Sequence, residues 1–148
     1  MREILFRAKA INRDPNREYR TNYKNGDWVY GLIERIYDER FPNIPSTMID
    51  QYGVSNIDVD YKTISEYTGL TDKNGKKIFE GDIIKHYNCC NIEKYSVDTG
   101  RVFFYPQTMR YLRTSTLFPD DCPEIYENNK YEVIGNIFEN PELLEENK

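Results

Sequence analysis

The segment that most constrains the fold is Thr68–Lys85, TGLTDKNGKKIFEGDIIK, because it places two turn signals around short apolar pairs. The dipeptide Asn74-Gly75 tolerates positive φ at both central positions of a type I′ turn, so it predicts a two-residue hairpin tip. Glu80-Gly81-Asp82 predicts a second turn, in which glycine supplies the backbone freedom. Turns this close together leave room only for short strands, which favours a β-rich fold.

Alternating apolar residues predict further strands on both sides of this segment. In the strand that begins at Trp28, we expect Trp28, Tyr30 and Leu32 to share one face, with Trp28 and Tyr30 in the core and Gly31 allowing a close backbone approach or a bulge. Asn140-Pro141 predicts a helix cap with proline at the first helical position, followed by one turn. The predicted core consists of residues on alternating strand faces or in apolar runs: Phe6, Trp28, Tyr30, Ile64, Ile83, Val102, Phe104, Ile134 and Ile137.

Length and composition favour one soluble domain. The chain has 148 residues and a mass of 17.7 kDa, and a chain of this size buries roughly 68–70% of its unfolded surface. Thirteen tyrosines add to the β tendency, because tyrosine suits half-exposed strand faces. We expect a single domain over residues 1–148, with strands and loops in 1–60 and the core signature in 61–138.

Charge is distributed unevenly along the chain. The net charge is −5, yet residues 1–24 contain seven basic and three acidic residues, so this segment carries +4 and the remainder −9. Cations and aromatic rings alternate in and after it, and the possible nucleic-acid contacts are Arg13, Arg17, Tyr19, Arg20, Tyr23 and Lys24, followed by Trp28 and Tyr30. Sites for single-stranded nucleic acid use this mixture. The simpler interpretation is a solvated loop whose tyrosines pack on the strand below.

Residues that could support catalysis are sparse, so the sequence predicts no enzyme and no cofactor. The single histidine, His86, has no second histidine for a metal cluster and is expected to be a structural strand residue. Asp58 and Asp60 would share a strand face and could hold Mg²⁺ with waters, although a solvated strand edge is the favoured interpretation. Three cysteines without metal spacing suit a reducing cytosol. We expect neither a signal peptide nor a membrane span.

The same segment, Thr68–Lys85, resembles the central signature of the YopX family of phage and prophage proteins. The resemblance extends to the N-terminal MREILFRA, to WVYG at residues 28–31 and to EVIGNIFENPELL at residues 132–144. Residues 9–27, 34–60 and 88–130 match less closely. The resemblance implies an intracellular phage-derived protein with an SH3-like β-barrel core. It implies no activity and no functional residues.

These observations together predict a mainly β protein, with a small SH3-like barrel core, added N-terminal strands and a short C-terminal helix. The predicted function is that of a non-enzymatic phage or prophage accessory protein in the cytoplasm of a bacterial host. We expect it to bind a macromolecule, a host or phage protein more than nucleic acid, and not a membrane. Two alternatives stay open: a self-assembling β-module whose strand edges pair between copies, giving a homo-oligomer, and a single-strand nucleic-acid binder acting through the loop 13–30.

Overall fold

The computed structural model describes residues 3–11, 23–53, 56–87, 97–105, 110–114, 124–125 and 130–145. Strands dominate this part of the chain, and two 3-10 turns, η1 and η2, accompany them. In chain order the elements are β1 Phe6–Lys9, β2 Trp28–Arg35, β3 Ser46–Asp50, β4 Ile57–Val59, η1 Tyr61–Thr63, β5 Ser65–Thr71, β6 Lys77–Phe79, β7 Asp82–Tyr87, β8 Val97–Tyr105, β9 Arg110–Arg113, β10 Tyr131–Asn136 and η2 Pro141–Leu144. The expectation of a mainly β protein is confirmed.

The chain divides into two compact units, Met1–Glu66 (unit 1) and Tyr67–Lys148 (unit 2). The division falls within β5, so this strand contributes its first residues to unit 1 and the rest to unit 2. The assignment of a single domain to residues 1–148 stays a prediction.

Unit 1 is an antiparallel sheet with the strand order β4-β3-β2-β1-β5. Past the end of β1, Ala10 forms an isolated bridge with Val59 of β4. Two backbone hydrogen bonds flank this bridge, from Ile11 N to Asp58 O at 2.8 Å and from Asp60 N to Lys9 O at 2.9 Å. The sheet therefore curls until β4 meets the end of β1, without a continuous ladder between them.

The core of unit 1 lies on one face of this sheet. Its buried members are Ala8, Ala10, Val29, Met48, Ile57 and Val59, with Phe6, Tyr23 and Ile64 packed against them. The close backbone approach expected at Gly31 is confirmed, because a Cβ on this residue would collide with the carbonyl oxygen of Ile49 on β3. Only glycine lets β2 and β3 pair at this distance.

Unit 2 contains the β5–β6 hairpin and an antiparallel sheet with the order β10-β7-β8-β9. A bulge between Val133 and Gly135 shifts the pairing of β10 with β7. Its buried core consists of Ile78, Ile84, Val102, Tyr111, Ile125 and Tyr131.

The hairpin tip differs from the type I′ turn that the sequence predicts. Gly75 has φ +80°, whereas Asn74 is not in the positive-φ region. Gly75 N donates to Asp72 O at 3.0 Å, and Asp72 N donates to Lys76 O at 2.8 Å, so the loop has three residues. This is a type I turn followed by a left-handed glycine. The reason is Asp72, whose Oδ1 accepts from the N–H groups of Asn74 and Lys76 at 2.8 and 2.9 Å and so stabilises the longer loop.

Two finer parts of the fold prediction are not found. The described strands form two open antiparallel sheets, and they do not close into the expected SH3-like barrel. Turn signals specify local pairing, whereas closure depends on long-range register that they do not encode. The expected C-terminal helix is a single 3-10 turn, Pro141–Leu144, which follows the N-cap residue Asn140 and begins with proline as predicted, although the Asn140 side chain makes no capping hydrogen bond to it.

The side-chain assignment of β2 is also wrong. Val29 and Gly31 face the core, while Trp28 and Tyr30 are half-buried on the opposite face and Leu32 is 50% exposed. Large aromatic residues suggested the core face, but the close β2–β3 contact requires glycine at position 31, and Val29 shares the face of Gly31. Of the predicted core, Ile83 and Val102 are fully buried, and the other seven side chains are partly buried.

Candidate functional site

An open cleft of about 300 Å³ lies in unit 1, where the end of β1, the β2–β3 connection and η1 meet. Its floor includes Val59, which is almost fully buried. The residues that line it are Ile11, Tyr37, Pro45, Ser46, Val59, Asp60, Tyr61 and Lys62. The lining thus combines an apolar floor, aromatic walls and a few polar groups, which is the usual composition of a binding site.

Two tyrosines form one wall of the cleft. The rings of Tyr37 and Tyr61 are stacked, with their centroids 4.7 Å apart and an interplanar angle of 15°. Ser46 positions the first, because its Oγ accepts a hydrogen bond from Tyr37 N at 2.7 Å. The stack joins the β2–β3 connection to η1 and presents a flat aromatic surface.

The polar side of the cleft is built on η1, which is fastened to β1. Asp60 is the N-cap residue of η1, and its Oδ1 accepts from Lys62 N at 3.0 Å. Thr63 Oγ1 accepts from Lys9 N at 2.8 Å and donates to Asp60 O at 2.8 Å. These bonds fix the backbone of η1 and the Asp60 carboxylate, and the Lys62 Nζ lies 5.9 Å from the Tyr61 ring centroid.

Four exposed apolar side chains lie on β2 and on the connection that leads from it to β3, and we call them the β2–β3 surface: Leu32, Ile36, Phe41 and Ile44. Ile36 precedes Tyr37 in the chain and Ile44 precedes Pro45, so two of these residues are sequence neighbours of the cleft lining. Backbone hydrogen bonds from Phe41 N to Asp38 O and from Ile44 N to Phe41 O shape this connection. Apolar side chains are therefore presented on an ordered connection.

The predicted nucleic-acid contacts are divided between described and undescribed parts of the chain. Four of them lie outside the described residues: Arg13, Arg17, Tyr19 and Arg20.

The two described contacts are Tyr23 and Lys24. Tyr23 packs against the core of unit 1 and its hydroxyl donates to Asp50 Oδ2 at 3.0 Å. Burial, followed by the Asp50 carboxylate, raises the pKa of Tyr23 to about 12. Lys24 is exposed, and its backbone N–H donates to Asp27 Oδ2 at 2.8 Å. Tyr23 is thus anchored through its hydroxyl, while its side chain stays partly exposed.

Trp28 lies in a cationic environment that the sequence did not reveal. Arg7 Cζ and Lys9 Nζ lie 4.6 and 4.5 Å from its ring centroid. Lys9 pairs with Trp28 across the β1–β2 ladder and Arg7 pairs with Tyr30, so all four side chains share one sheet face. The ring of Trp28 is therefore already engaged in cation–π contacts within the protein. The alternation of Arg7 and Lys9 along β1 is visible in the sequence. The pairing register that places them beside Trp28 is not.

Three other residues with potential chemistry, His86, Asp58 and Asp60, lie in the part of the chain that the structure describes. His86 lies in β7 and is buried, its Nδ1 accepts a hydrogen bond from Arg113 Nη2 at 3.2 Å, and its ring lies 4.8 Å from that of Tyr131. Asp58 belongs to β4, and Asp60 follows this strand with an extended backbone as the N-cap residue of η1, so both carboxylates lie on the less buried side of this segment. Across the described ranges, no three His, Cys, Asp or Glu side chains converge as metal ligands would. No helix in these ranges is long and apolar enough to span a bilayer.

Sequence reasoning missed the cleft itself. Tyr37 and Tyr61 are separated by 24 positions, and no sequence pattern connects them. The one local signal was the run of Phe41, Ile44 and Pro45 in a loop, where apolar residues have no core to enter. Only the curl of the first sheet brings the two rings together.

Comparison with known proteins identifies one family. The model of the family described as YopX protein matches residues 12–145. Among solved structures, protein EF1440 from Enterococcus faecalis is similar, with 22% sequence identity, a TM-score of 0.49, and coverage of 96% of this chain and 98% of that chain. No curated protein matches the chain significantly.

Proposed function

The chain belongs to the YopX family, and from that premise we propose that it is a non-enzymatic accessory protein of a phage or prophage that binds another protein in the bacterial cytoplasm. The partner is a host or phage protein, and the contact is made by the β2–β3 surface and the adjoining cleft. The observation that carries this proposal is the grouping of exposed apolar side chains beside an open aromatic cleft.

The distribution of exposed apolar residues supports a protein partner. Eight large apolar side chains are exposed among the described residues, and six of them lie between positions 32 and 61: Leu32, Ile36, Phe41, Ile44, Tyr52 and Tyr61. Exposed apolar groups concentrated in one region mark interaction sites more often than isolated ones do. Aromatic residues such as Phe41 and Tyr61 are also enriched at the centres of protein interfaces. Burial in an interface would remove this surface from water.

Self-assembly through strand edges has less support, because three outer strands already have partners within the described residues. The end of β1 covers β4 through the Ala10–Val59 bridge. Residues 124–125 cover β9, with Ile125 N donating to Tyr111 O at 3.1 Å. The hairpin tip covers the start of β10, where Lys73 N donates to Tyr131 O at 2.9 Å. Edges occupied in this way are poor templates for a second copy.

The test is partner capture from phage-infected host cells with three tagged forms of the chain: wild type, the double variant Phe41→Ser with Ile44→Ser, and the control Tyr105→Ser. Tyr105 is an exposed aromatic residue of unit 2, outside the proposed surface. We expect wild type and control to retain the same protein in near-equimolar amount, and the double variant to lose at least nine-tenths of it. Circular dichroism melts establish that all three forms are folded.

Two results would contradict the proposal. Equal capture by all three forms would place the contact elsewhere. A wild-type chain that sediments as a dimer, and that the double variant converts to a monomer, would assign the surface to self-association instead.

A further inference from the structure

The shape of the cleft suits a ligand with flat apolar rings. The stacked pair Tyr37–Tyr61 provides an aromatic plane, Tyr61 is 45% exposed, and Pro45 and Val59 continue the apolar lining beside it. Prolyl rings pack well on tyrosine faces, and proline-rich segments in the polyproline II conformation are recognised by grooves lined with aromatic residues. Such segments are already extended, so little conformational entropy is lost on binding.

The hydrogen-bonding groups of the lining point to the same ligand. Four of them are donors, the hydroxyls of Tyr37, Ser46 and Tyr61 and the ammonium of Lys62, and Asp60 supplies the one carboxylate. A proline-rich segment offers backbone carbonyls and few N–H groups, so its acceptors match a lining rich in donors. The single carboxylate would pair with one basic side chain of the ligand.

Charge around the cleft favours a basic ligand. Residues 32–62, the stretch of chain that supplies most of the lining, contain six carboxylates and three cations, a net charge of −3, while the lining itself holds one charge of each sign, Asp60 and Lys62. Arg40 adds little attraction for an acidic ligand, because its guanidinium is paired with Asp38 at 2.6 Å. A ligand with a positive side chain is therefore attracted to this side of unit 1 at low salt.

We propose that this cleft binds an extended, proline-rich peptide segment that carries one basic side chain, with prolyl rings on the Tyr37–Tyr61 stack and the cation on Asp60. The proposal rests on the proposed function, since the segment would belong to the protein partner. It adds the chemical class of the segment and the residues that recognise it.

The experiment titrates the full chain with three synthetic peptides and follows binding by calorimetry and NMR. The probe is an octaproline peptide ending in one arginine, and the controls replace the arginine by glutamate or the prolines by alternating glycine and serine. We expect saturable binding of the probe with a Kd below about 1 mM, and no saturation with either control peptide.

Variants identify the residues involved. Asp60→Asn keeps an N-cap residue for η1. We expect this variant to bind the arginine peptide about tenfold more weakly, because one charge-assisted hydrogen bond is lost. Tyr61→Phe keeps the stack and removes one donor, so it should weaken binding less than Tyr61→Ala, which should abolish it. Tyr105→Ala should bind like the wild type.

Absence of saturation with the probe at 1 mM would overturn this inference, as would binding that Asp60→Asn and Tyr61→Ala leave unchanged. Failure here is distinguishable from failure of the proposed function. If the peptide does not bind while capture of a partner still depends on Phe41 and Ile44, the peptide class is wrong and the protein-binding role stands.

Discussion

Both the ring and the hydroxyl of Tyr23 make contacts within unit 1. Its ring packs on the core of unit 1 and its hydroxyl donates to Asp50 Oδ2, while Asp50 Oδ1 accepts from Tyr52 N at 3.0 Å. The sequence offered Tyr23 as a stacking surface for bases. Its contacts instead fasten the chain before β2 to the end of β3.

The raised pKa of Tyr23 makes its contribution depend on pH. Because the folded pKa of about 12 exceeds the ordinary value of 10.0, the neutral hydroxyl is favoured in the folded state. The resulting stabilisation is complete below pH 10 and is lost as the pH rises from about 10 to 12. We expect Tyr23→Phe to lower the free energy of unfolding at pH 8 by about 1 kcal/mol, a value reduced for solvent screening at this partly exposed group.

The measurement is urea unfolding of both proteins at intervals between pH 8 and pH 12. Other tyrosines titrate in both proteins, so the difference between the two curves isolates Tyr23. The difference should shrink above pH 10, and parallel curves throughout would show that the Tyr23–Asp50 contact does not stabilise the fold.

Substitutions at Gly75 and Asn74 distinguish the three-residue loop at the hairpin tip from the type I′ turn. Only Gly75 has positive φ, so Gly75→Ala should cost on the order of 1 kcal/mol, because alanine resists that region. Asn74→Ala should cost much less, since Asn74 is exposed and its backbone conformation is one that alanine adopts. Thermal melts of the two variants test this directly, and equal losses would favour the type I′ turn.

Asp72 connects the β5–β6 hairpin to β10. Its buried carboxylate accepts from the N–H groups of Asn74 and Lys76 through Oδ1 and from Val133 N through Oδ2 at 3.0 Å. The neighbouring Lys73 adds an ion pair with Glu132 at 2.7 Å. One side chain therefore fixes the conformation of the turn and its position against the sheet of unit 2.

Removing this carboxylate should destabilise unit 2 strongly. Asp72→Ala leaves three N–H groups without their acceptor, and we expect a loss of about 3 kcal/mol in the free energy of unfolding. Asp72→Asn keeps one acceptor oxygen and should lose less. Asp38→Ala, which removes an exposed surface ion pair, serves as the control and should leave the unfolding midpoint unchanged. Equal midpoints for Asp72→Ala and Asp38→Ala would show that the carboxylate is dispensable.

The charge distribution of the entire chain bears on the nucleic-acid alternative. Residues 1–24 carry +4 and the remainder −9, so a phosphate backbone is attracted by one short segment and repelled by the rest. The described aromatic residues near this segment, Tyr23 and Trp28, are engaged within the protein by Asp50 and by Arg7 and Lys9. Protein binding is therefore better supported than nucleic-acid binding.

We expect single-stranded oligonucleotides to bind no more tightly than ~10⁻⁴ M at physiological salt, the weak end of non-specific binding. Fluorescence anisotropy over a salt series measures this. Any weak binding at low salt should lose part of its salt dependence in the double variant Arg17→Ala with Arg20→Ala, because fewer counterions are released. A micromolar complex sensitive to these changes and to Tyr23→Ala would rank nucleic-acid binding above protein binding.

Local signals in the sequence determined the mainly β class, the turn positions near Gly75 and Gly81, and the close approach at Gly31. Each depends on one or two residues whose backbone preferences act in any context, which is why sequence reasoning reached them. The YopX resemblance belongs with these, since its signature is largely the turn segment itself.

Tertiary structure decided the rest. The three-residue loop depends on the Asp72 side chain, the core face of β2 depends on Gly31 meeting β3, and the open sheets depend on registers set between distant strands. The candidate site depends on the curl that brings Tyr37 against Tyr61. These features arise from contacts between residues far apart in the chain, and no local preference encodes which distant partners will meet.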